Sequence, residues 1–234
     1  MEGLKIFWNF LKAACQEVLA NKNIYLTAFF ALILLGNAET LFPFFGVGEE
    51  SSAYIVLTIF TTLMIFVVLS QVVLIQKKNH GGTGELSFFV PTFLLYNLYY
   101  SFLFFLGLGV AILIGFFAYK INIIFAGILF AFLLSIPFSI LINFSMVPFI
   151  AVLDDEATGG FFKKSREMVK KNFALVAWAS IINLLMESSA LLFSPISDRN
   201  VKAIANFIYS IPDAFLTIAM TIATVKIYYY LKNK

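Results

Sequence analysis

The chain has 234 residues, of which 61% are hydrophobic, 18% aromatic and only 12% charged. A soluble domain carries about 25% charged residues. With a mean hydropathy of +0.93, this chain lacks the polar side chains needed to cover a water-soluble globule. Composition therefore excludes a water-soluble enzyme and a nucleic-acid-binding protein. The net charge of +3 is slight, and its distribution along the chain matters more than its size.

The first 23 residues predict an amphipathic helix that lies in the plane of the membrane. Lys5, Lys12 and Glu17 interrupt the apolar residues, so no signal-peptide core is expected. The apolar residues instead recur at helical spacing, and lysine stems beside them can reach the lipid headgroups. Cys15 falls on this stripe as a small apolar filler, with a lipidated or reactive thiol as the alternative. The stripe comprises Leu4, Phe7, Trp8, Leu11, Cys15, Val18 and Leu19.

Six later stretches are long and apolar enough to cross a bilayer as helices, since a core about 30 Å thick needs about 20 such residues. No stretch alternates as the strand of a membrane β-barrel does. The sequence therefore predicts an all-α polytopic membrane protein, a single transmembrane domain over residues 1–234, with about six spans and in-plane amphipathic helices. The predicted spans are Ile24–Leu41, Ala53–Ile75, Val90–Tyr119, Asn122–Leu153, Phe173–Phe193 and Ala203–Leu231.

The basic residues lie almost entirely on one side of the predicted spans. The N-terminal segment, the second and fourth connections between spans and the C-terminal end of the chain hold 13 of the 16 lysines and arginines, and only Lys120, Arg199 and Lys202 fall on the other side. Basic connections stay in the cytoplasm. The sequence therefore predicts that both termini, and the amphipathic helices, are cytoplasmic.

Residues 154–172 predict a second cytoplasmic amphipathic helix. Asp154, Asp155 and Glu156 place negative charge at its start, where the helix dipole favours it. Its basic residues either hold anionic lipid headgroups, dock a partner or only fix the topology. These residues are Lys163, Lys164, Arg166, Lys170 and Lys171.

Three segments suggest an internal repeat of an interfacial element followed by a membrane hairpin. The exit of the second amphipathic helix, at residues 171–175, echoes the exit of the first at residues 22–26. Residues 81–89, which begin Gly81-Gly82-Thr83-Gly84, form a shorter version before the third span. These glycines lack the lysine of a phosphate-binding loop and predict a turn.

Residues 146–156, which read MVPFIAVLDDE, lead into residues 159–173, GGFFKKSREMVKKNF. This run resembles the signature of a prokaryotic group of six-helix membrane proteins that includes the membrane domain fused to some glycerophosphodiester phosphodiesterases. In that group an acidic residue and a glycine precede a helix with a central serine, and Asn-aromatic opens the next span. The resemblance implies a six-helix fold in a prokaryotic cytoplasmic (inner) membrane. The soluble phosphodiesterase domain is absent from this sequence, so its activity does not transfer.

The fifth predicted span contains an ionisable residue, Glu187, which makes it a candidate functional site because charge inside the membrane is costly. Ser180, Asn183 and Glu187 recur at helical spacing and share one face of a helix. The functional interpretation is a polar cavity or ion path with Glu187 as its titrating group. The alternative is a protonated or hydrogen-bonded residue that joins helices.

Two further polar residues lie within predicted spans. Asn143 ends a series of small or polar residues spaced by four, which favours tight helix packing, with a substrate-lining groove as the alternative. Asp213 follows Pro212 in a pattern typical of a helix start, which predicts a cap at the outer interface. The series before Asn143 is Gly127, Ala131, Ser135 and Ser139.

The sequence contains no HExxH and no GxSxG motif, and its single cysteine and single histidine allow no disulfide or multi-histidine metal site. We therefore expect a non-enzymatic membrane protein, without cofactor or metal, that handles or organises lipids or a small hydrophobic or anionic compound. The alternative is a transmembrane subunit of an ABC-type transport or export complex that docks a cytosolic partner through residues 154–172. The oligomeric state stays open.

Overall fold

The computed structural model describes residues 2–48, 50–120, 123–154, 160–188 and 199–234, and within these ranges it is helical, without strands. Asp155, Glu156 and the rest of 155–159 lie outside the described residues. Residues Phe42–Phe45 form a short 3₁₀ helix. The α-helices are α1 (Glu2–Ala20), α2 (Lys22–Gly36), α3 (Ala38–Leu41), α4 (Ser52–Asn79), α5 (Leu86–Tyr119), α6 (Ile123–Phe144), α7 (Val147–Leu153), α8 (Phe161–Lys171), α9 (Phe173–Ser188) and α10 (Arg199–Lys232).

Several helices are long and apolar enough to cross a membrane. Four qualify by length and composition, namely α4, α5, α6 together with α7, and α10. The number rises to six if the bent pairs α1–α2 and α8–α9 each count as one span. The prediction of a helical chain with several apolar spans is confirmed, and the predicted six lies at the upper end of this range.

Two helix pairs share the same sharp bend. The axes of α1 and α2 meet at 101°, and those of α8 and α9 meet at 110°. In each pair one residue, Asn21 or Asn172, separates a charged amphipathic helix from an apolar one. These are two of the three predicted repeat units. In the third, residues 80–85 form a turn without a helix before α5 begins.

Helix α1 packs part of its apolar stripe against the other helices. Phe7, Leu11 and Val18 are buried, and the helix contacts α9 and α10. Trp8 and Leu19 from the same predicted stripe are exposed. The stripe is therefore divided between a face that packs on the bundle and an apolar edge that stays uncovered.

The amphipathic helices and the basic segments meet at one end of the bundle. Lys226 near the end of α10 forms an ion pair with Glu17 of α1. Lys171 at the end of α8 donates a 3.0 Å hydrogen bond to the carbonyl oxygen of Leu231. His80, directly after α4, stacks on Tyr229 with ring centroids 4.2 Å apart. We name this end of the bundle, where α1, α8 and the last turns of α4 and α10 meet, the basic end.

Helix α10 continues without a break through a proline, where the sequence predicts a helix start. Pro212 and Asp213 lie inside it, so no helix begins at Asp213 and the capping role predicted for this residue is wrong. Contacts with α3 and with Asn37, the residue before it, hold the part of α10 that precedes the proline. Asn206 donates a 2.9 Å hydrogen bond to Thr40, and Ser210 accepts one of 2.8 Å from Asn37. With 34 residues, α10 is about 51 Å long.

Candidate functional site

A partly buried polar cluster joins four helices at the basic end. Glu17 of α1 lies 2.7 Å from the ammonium of Lys226 on α10. Gln76 of α4 donates hydrogen bonds of 2.5 Å to Glu17 and 2.7 Å to the hydroxyl of Tyr25 on α2. We name these four residues the Glu17 cluster. Burial alone raises the pKa of Glu17, but the hydrogen bonds from Lys226 and Gln76 outweigh it and hold the pKa below its usual value.

A second ionic cluster fixes α8 to the end of α10. The side chain of Asp154 is fully buried and forms ion pairs with Lys164 of α8 and Lys232 of α10. Burial raises the pKa of Asp154, but hydrogen bonds from the two lysines more than reverse this and hold the pKa below its usual value. Asp154 does not lie at the start of α8 as predicted, because that helix begins at Phe161 after Gly160, whose φ is +69°. Its carboxylate instead links Lys164 of α8 to Lys232 of α10.

A third charged group, Lys77 near the end of α4, is buried. Only 5% of Lys77 is exposed, and its ammonium donates a 2.9 Å hydrogen bond to the carbonyl oxygen of Val152. The turn at residues 80–85 covers its aliphatic stem. A Cβ at Gly82 would lie 2.8 Å from Cγ of Lys77, so the turn can approach this closely only with glycine there. The glycine-rich segment is thus a turn, as predicted, and it encloses a lysine.

Lys77 lies at the wall of a cavity of about 550 Å³. We name it the Lys77 cavity. It is open to one side beside α5, where Phe88 and Leu95 are 70% and 63% exposed. A cationic group therefore lies next to an exposed apolar surface. The lining residues are Lys77, Thr83, Gly84, Glu85, Phe88, Phe89, Pro91, Thr92, Leu95, Tyr96, Ala151, Val152, Asp154 and Phe161.

A smaller cavity of about 190 Å³ brings together two residues singled out in the sequence, Asn143 and Arg166. Asn143 donates hydrogen bonds to the carbonyl oxygen and the hydroxyl of Ser139, one turn earlier. Its own carbonyl oxygen accepts a 2.8 Å hydrogen bond from Ser165 of α8. Asn143 and Ser139 thus bond within one helix, while Ser165 ties α8 to the end of α6.

The five basic residues of α8 fall into two groups. Lys164 and Lys171 bond to Asp154 and to the carbonyl oxygen of Leu231, so they fix the helix in place. The other three are exposed on the outer face of α8, where a lipid surface or a partner can reach them. These three are Lys163, Arg166 and Lys170.

The intramembrane polar residues predicted from the sequence are not gathered into one cavity by the described residues. Ser180 is buried in α9, whereas Asn183, three residues on, is exposed. Glu187 lies in the last turn of α9, and its side chain is outside the described part of the structure. Asp213 is half-buried within α10. An ion path through Glu187 stays a prediction.

Sequence reasoning missed the residues that organise the basic end. Gln76 and Lys77 directly follow the predicted second span, where the hydropathy pattern indicates only a connecting segment. Glu17 interrupts an apolar stripe, which is the one signal that could have marked it as paired. Its partner Lys226 is more than 200 residues away in the sequence, and no local pattern connects the two.

Comparison with protein-family models, with curated proteins and with solved structures finds no match to this chain. Among the residues that the structure describes, no three His, Cys, Asp or Glu side chains form a group that could hold a metal ion. The basic end and its cavities are the features of the described fold that bear on function.

Proposed function

We propose that the chain crosses a prokaryotic cytoplasmic membrane six times, with the basic end and both termini in the cytoplasm. This topology counts α2 and α9 as spans and treats α1 and α8 as helices lying along the membrane surface. Support comes from the bends of 101° and 110° and from the 13 basic residues in segments of the basic end. It agrees with the resemblance to the six-helix group.

We further propose that the protein is non-enzymatic and binds and organises anionic lipids at its cytoplasmic surface. The observation that carries this function is the placement of two amphipathic helices across the same end of the bundle. Helix α1 leaves Trp8 and Leu19 exposed, and α8 exposes Lys163, Arg166 and Lys170. Apolar and basic groups in one interfacial layer are suited to acyl chains and acidic headgroups respectively.

Exchange of the three exposed basic residues of α8 for glutamine tests this function. Each basic residue near an anionic surface is worth about 1 kcal/mol, so the triple variant is expected to lose up to about 100-fold in association with acidic lipid. The full chain is reconstituted in mixed phosphatidylcholine and phosphatidylglycerol, and the acidic lipid retained per chain is measured. Lys120→Gln with Lys202→Gln, at the opposite end, is the matched control. Equal retention in the triple variant and the control contradicts the proposal.

The second candidate function is that of a transmembrane subunit whose cytosolic partner docks on residues 154–172. The exposed face of α8 favours it, because three basic side chains there take no part in the ionic clusters that hold the helix. Charge reversal at Lys163, Arg166 and Lys170 then releases a stoichiometric soluble protein during purification from native membranes. Retention of acidic lipid, measured as above, separates this function from the first.

A further inference from the structure

Asp213 lies near the middle of α10, a helix that is long and apolar enough to cross a membrane. It follows Lys202 by 11 residues and precedes Lys226 by 13. At the rise of an α-helix, these two lysines are about 17 Å and about 20 Å away along the axis, and the hydrocarbon core of a bilayer is about 30 Å thick. Between the two lysines, α10 contains no other Asp, Glu, Lys, Arg or His. A lone carboxyl group therefore lies at the depth where charge is most costly.

No cation compensates for this carboxyl group. Every lysine and arginine of the chain lies within the described residues, and none of them forms an ion pair with Asp213. The nearest titratable neighbour is the hydroxyl of Tyr209, one turn earlier on the same helix, which senses the charge of Asp213. An isolated ionised carboxylate is unfavourable in apolar surroundings. The neutral acid is therefore the favoured form of Asp213 in the membrane.

The helices packed against α10 bring no charge to this depth either. Helix α2 has no acidic or basic residue after Lys22, α4 has none before Lys77, and α7 has none at all. Helix α9 has none before Glu187, which lies in its last turn. The charged residues of α1 and α8 lie at the basic end, and Glu39 of α3 is exposed. Protonation of Asp213 thus depends on Asp213 and on its access to water.

On the side of Asp213 away from the basic end, hydrogen bonds join α10 to its neighbours. Ser210, one turn from Asp213, accepts a 2.8 Å hydrogen bond from Asn37, and these two residues are only 8% and 5% exposed. Asn206, one turn further, donates a 2.9 Å hydrogen bond to Thr40. The polar groups on this side are paired with one another, so this part of the helix is closed.

On the side towards the basic end, the same face of α10 is open. Thr217, Thr221 and Thr224 share this face with Asp213 and are partly exposed. The hydroxyls of Thr221 and Thr224 donate to the carbonyl oxygens four residues earlier, and each keeps a lone pair that can accept from water. The threonines therefore line a narrow crevice in a helix that is otherwise enclosed. The enclosed residues, each at most 2% exposed, are Ile218, Ala219, Met220, Ile222, Ala223 and Val225.

We infer that Asp213 binds a proton near the middle of the membrane and exchanges it with the cytoplasm along the threonine face of α10. In the neutral form the proton is held in the O–H bond of the carboxyl group. On release that bond breaks, its electron pair stays on the carboxylate, and water in the crevice takes up the proton. The inference goes beyond lipid binding, and it rests on the proposed function only for the orientation of α10, with the basic end in the cytoplasm.

Infrared spectroscopy of the full-length chain in phosphatidylcholine vesicles tests the bound proton directly. At neutral pH the wild-type chain should show a carboxylic-acid carbonyl band that is lost in Asp213→Asn and kept in Asp213→Glu. Glu39→Gln, which removes an exposed carboxyl group, is the matched control and should leave the band unchanged. The band should shift in deuterium oxide, and it should fall by about ten-fold per pH unit once most of the groups are ionised.

The rate of the deuterium shift tests the route. Thr221→Val with Thr224→Val removes two hydroxyls from the crevice at nearly constant volume, and it should abolish the fast phase of the shift. Thr61→Val with Thr62→Val on α4 is the matched control, because both of its hydroxyls also donate to a backbone carbonyl oxygen, that of Thr58. The control should exchange at the wild-type rate.

Three results would overturn the inference. A band that persists in Asp213→Asn belongs to another acid, and a band that neither exchanges nor falls with rising pH belongs to a sealed structural carboxyl group. Wild-type exchange in the double valine variant of α10 contradicts the cytoplasmic route. Asp213→Asn should also retain acidic lipid as the wild-type chain does, so the proton site and the lipid-binding function can fail independently.

Discussion

Removing the charge of Glu17 should loosen the basic end, because this carboxylate joins α1 to three other helices. It accepts hydrogen bonds from Gln76 at 2.5 Å and Tyr25 at 3.2 Å, and it pairs with Lys226 at 2.7 Å. The side chains of Glu17 and Lys226 are only 18% and 24% exposed, so water screens the pair less than it screens a surface pair. Glu17→Gln retains an amide oxygen for Gln76 and Tyr25 but removes the ion pair.

The expected loss follows from the groups affected. A hydrogen bond to a charged group contributes about 1.5–3 kcal/mol, so Glu17→Gln should lower the free energy of unfolding by about 2 kcal/mol. Glu17→Ala removes all three contacts and leaves Lys226 without its carboxylate, which should cost about 3–5 kcal/mol. Glu167→Gln, at an exposed acidic position of α8, is the matched control.

Thermal unfolding in detergent and amide hydrogen exchange of α1 measure the effect, and exchange should rise most in α1. Because the pKa of Glu17 is lowered in the folded protein, its stabilisation is present above the ordinary glutamate pKa of about 4.3. It is lost as the pH falls through the lowered value. The difference between the wild-type chain and Glu17→Gln should therefore shrink in acid. An unchanged unfolding midpoint at neutral pH, or a difference that grows in acid, would refute the reasoning.

Two further experiments test packing at opposite ends of the bundle. A Cβ at Gly3 would lie 2.7 Å from the Cβ of Ala174, so Gly3→Ala should destabilise the chain by about 1–3 kcal/mol. A Cβ at Gly109 would have nothing within 4 Å, so Gly109→Ala, the control, should not. Equal unfolding midpoints for the two variants would contradict the close approach of α1 to α9. At the other end, Asn37 donates a 2.8 Å hydrogen bond to Ser210. A double-mutant cycle of Asn37→Ala and Ser210→Ala should give a coupling free energy of about 0.6–1.7 kcal/mol. Strictly additive effects of the two substitutions would show that the bond contributes nothing.

The helical character of the chain could be predicted because it follows from composition and from short-range periodicity. The amphipathic patterns of residues 1–23 and 154–172 correspond to α1 and α8, and apolar runs of sufficient length correspond to the long helices. Both signals act within a few turns of helix, so a sequence displays them directly. Even here, periodicity does not give burial residue by residue, since it groups Trp8 and Leu19 with Phe7 although both remain exposed.

The candidate site could not be predicted, because it depends on pairings between distant segments. The position of Asp154 before an amphipathic run predicts negative charge at the start of a helix, but the structure places this carboxylate between Lys164 and Lys232. The proline before Asp213 predicts a helix start, but the hydrogen bonds of Asn206 to Thr40 and of Asn37 to Ser210 hold the helix intact. Tertiary contacts override a local preference in both cases.

The most direct test of the central claim is the accessibility of the two ends of the bundle across a membrane. Single cysteines at Glu50 and Lys163, both exposed positions, are introduced into a Cys15→Ser background and treated with a membrane-impermeant maleimide. In intact cells the cysteine at position 50 should be labelled and that at position 163 protected, and the pattern should reverse in inside-out vesicles. Labelling of both positions from the same side would contradict a bundle that crosses the membrane with its basic end in the cytoplasm.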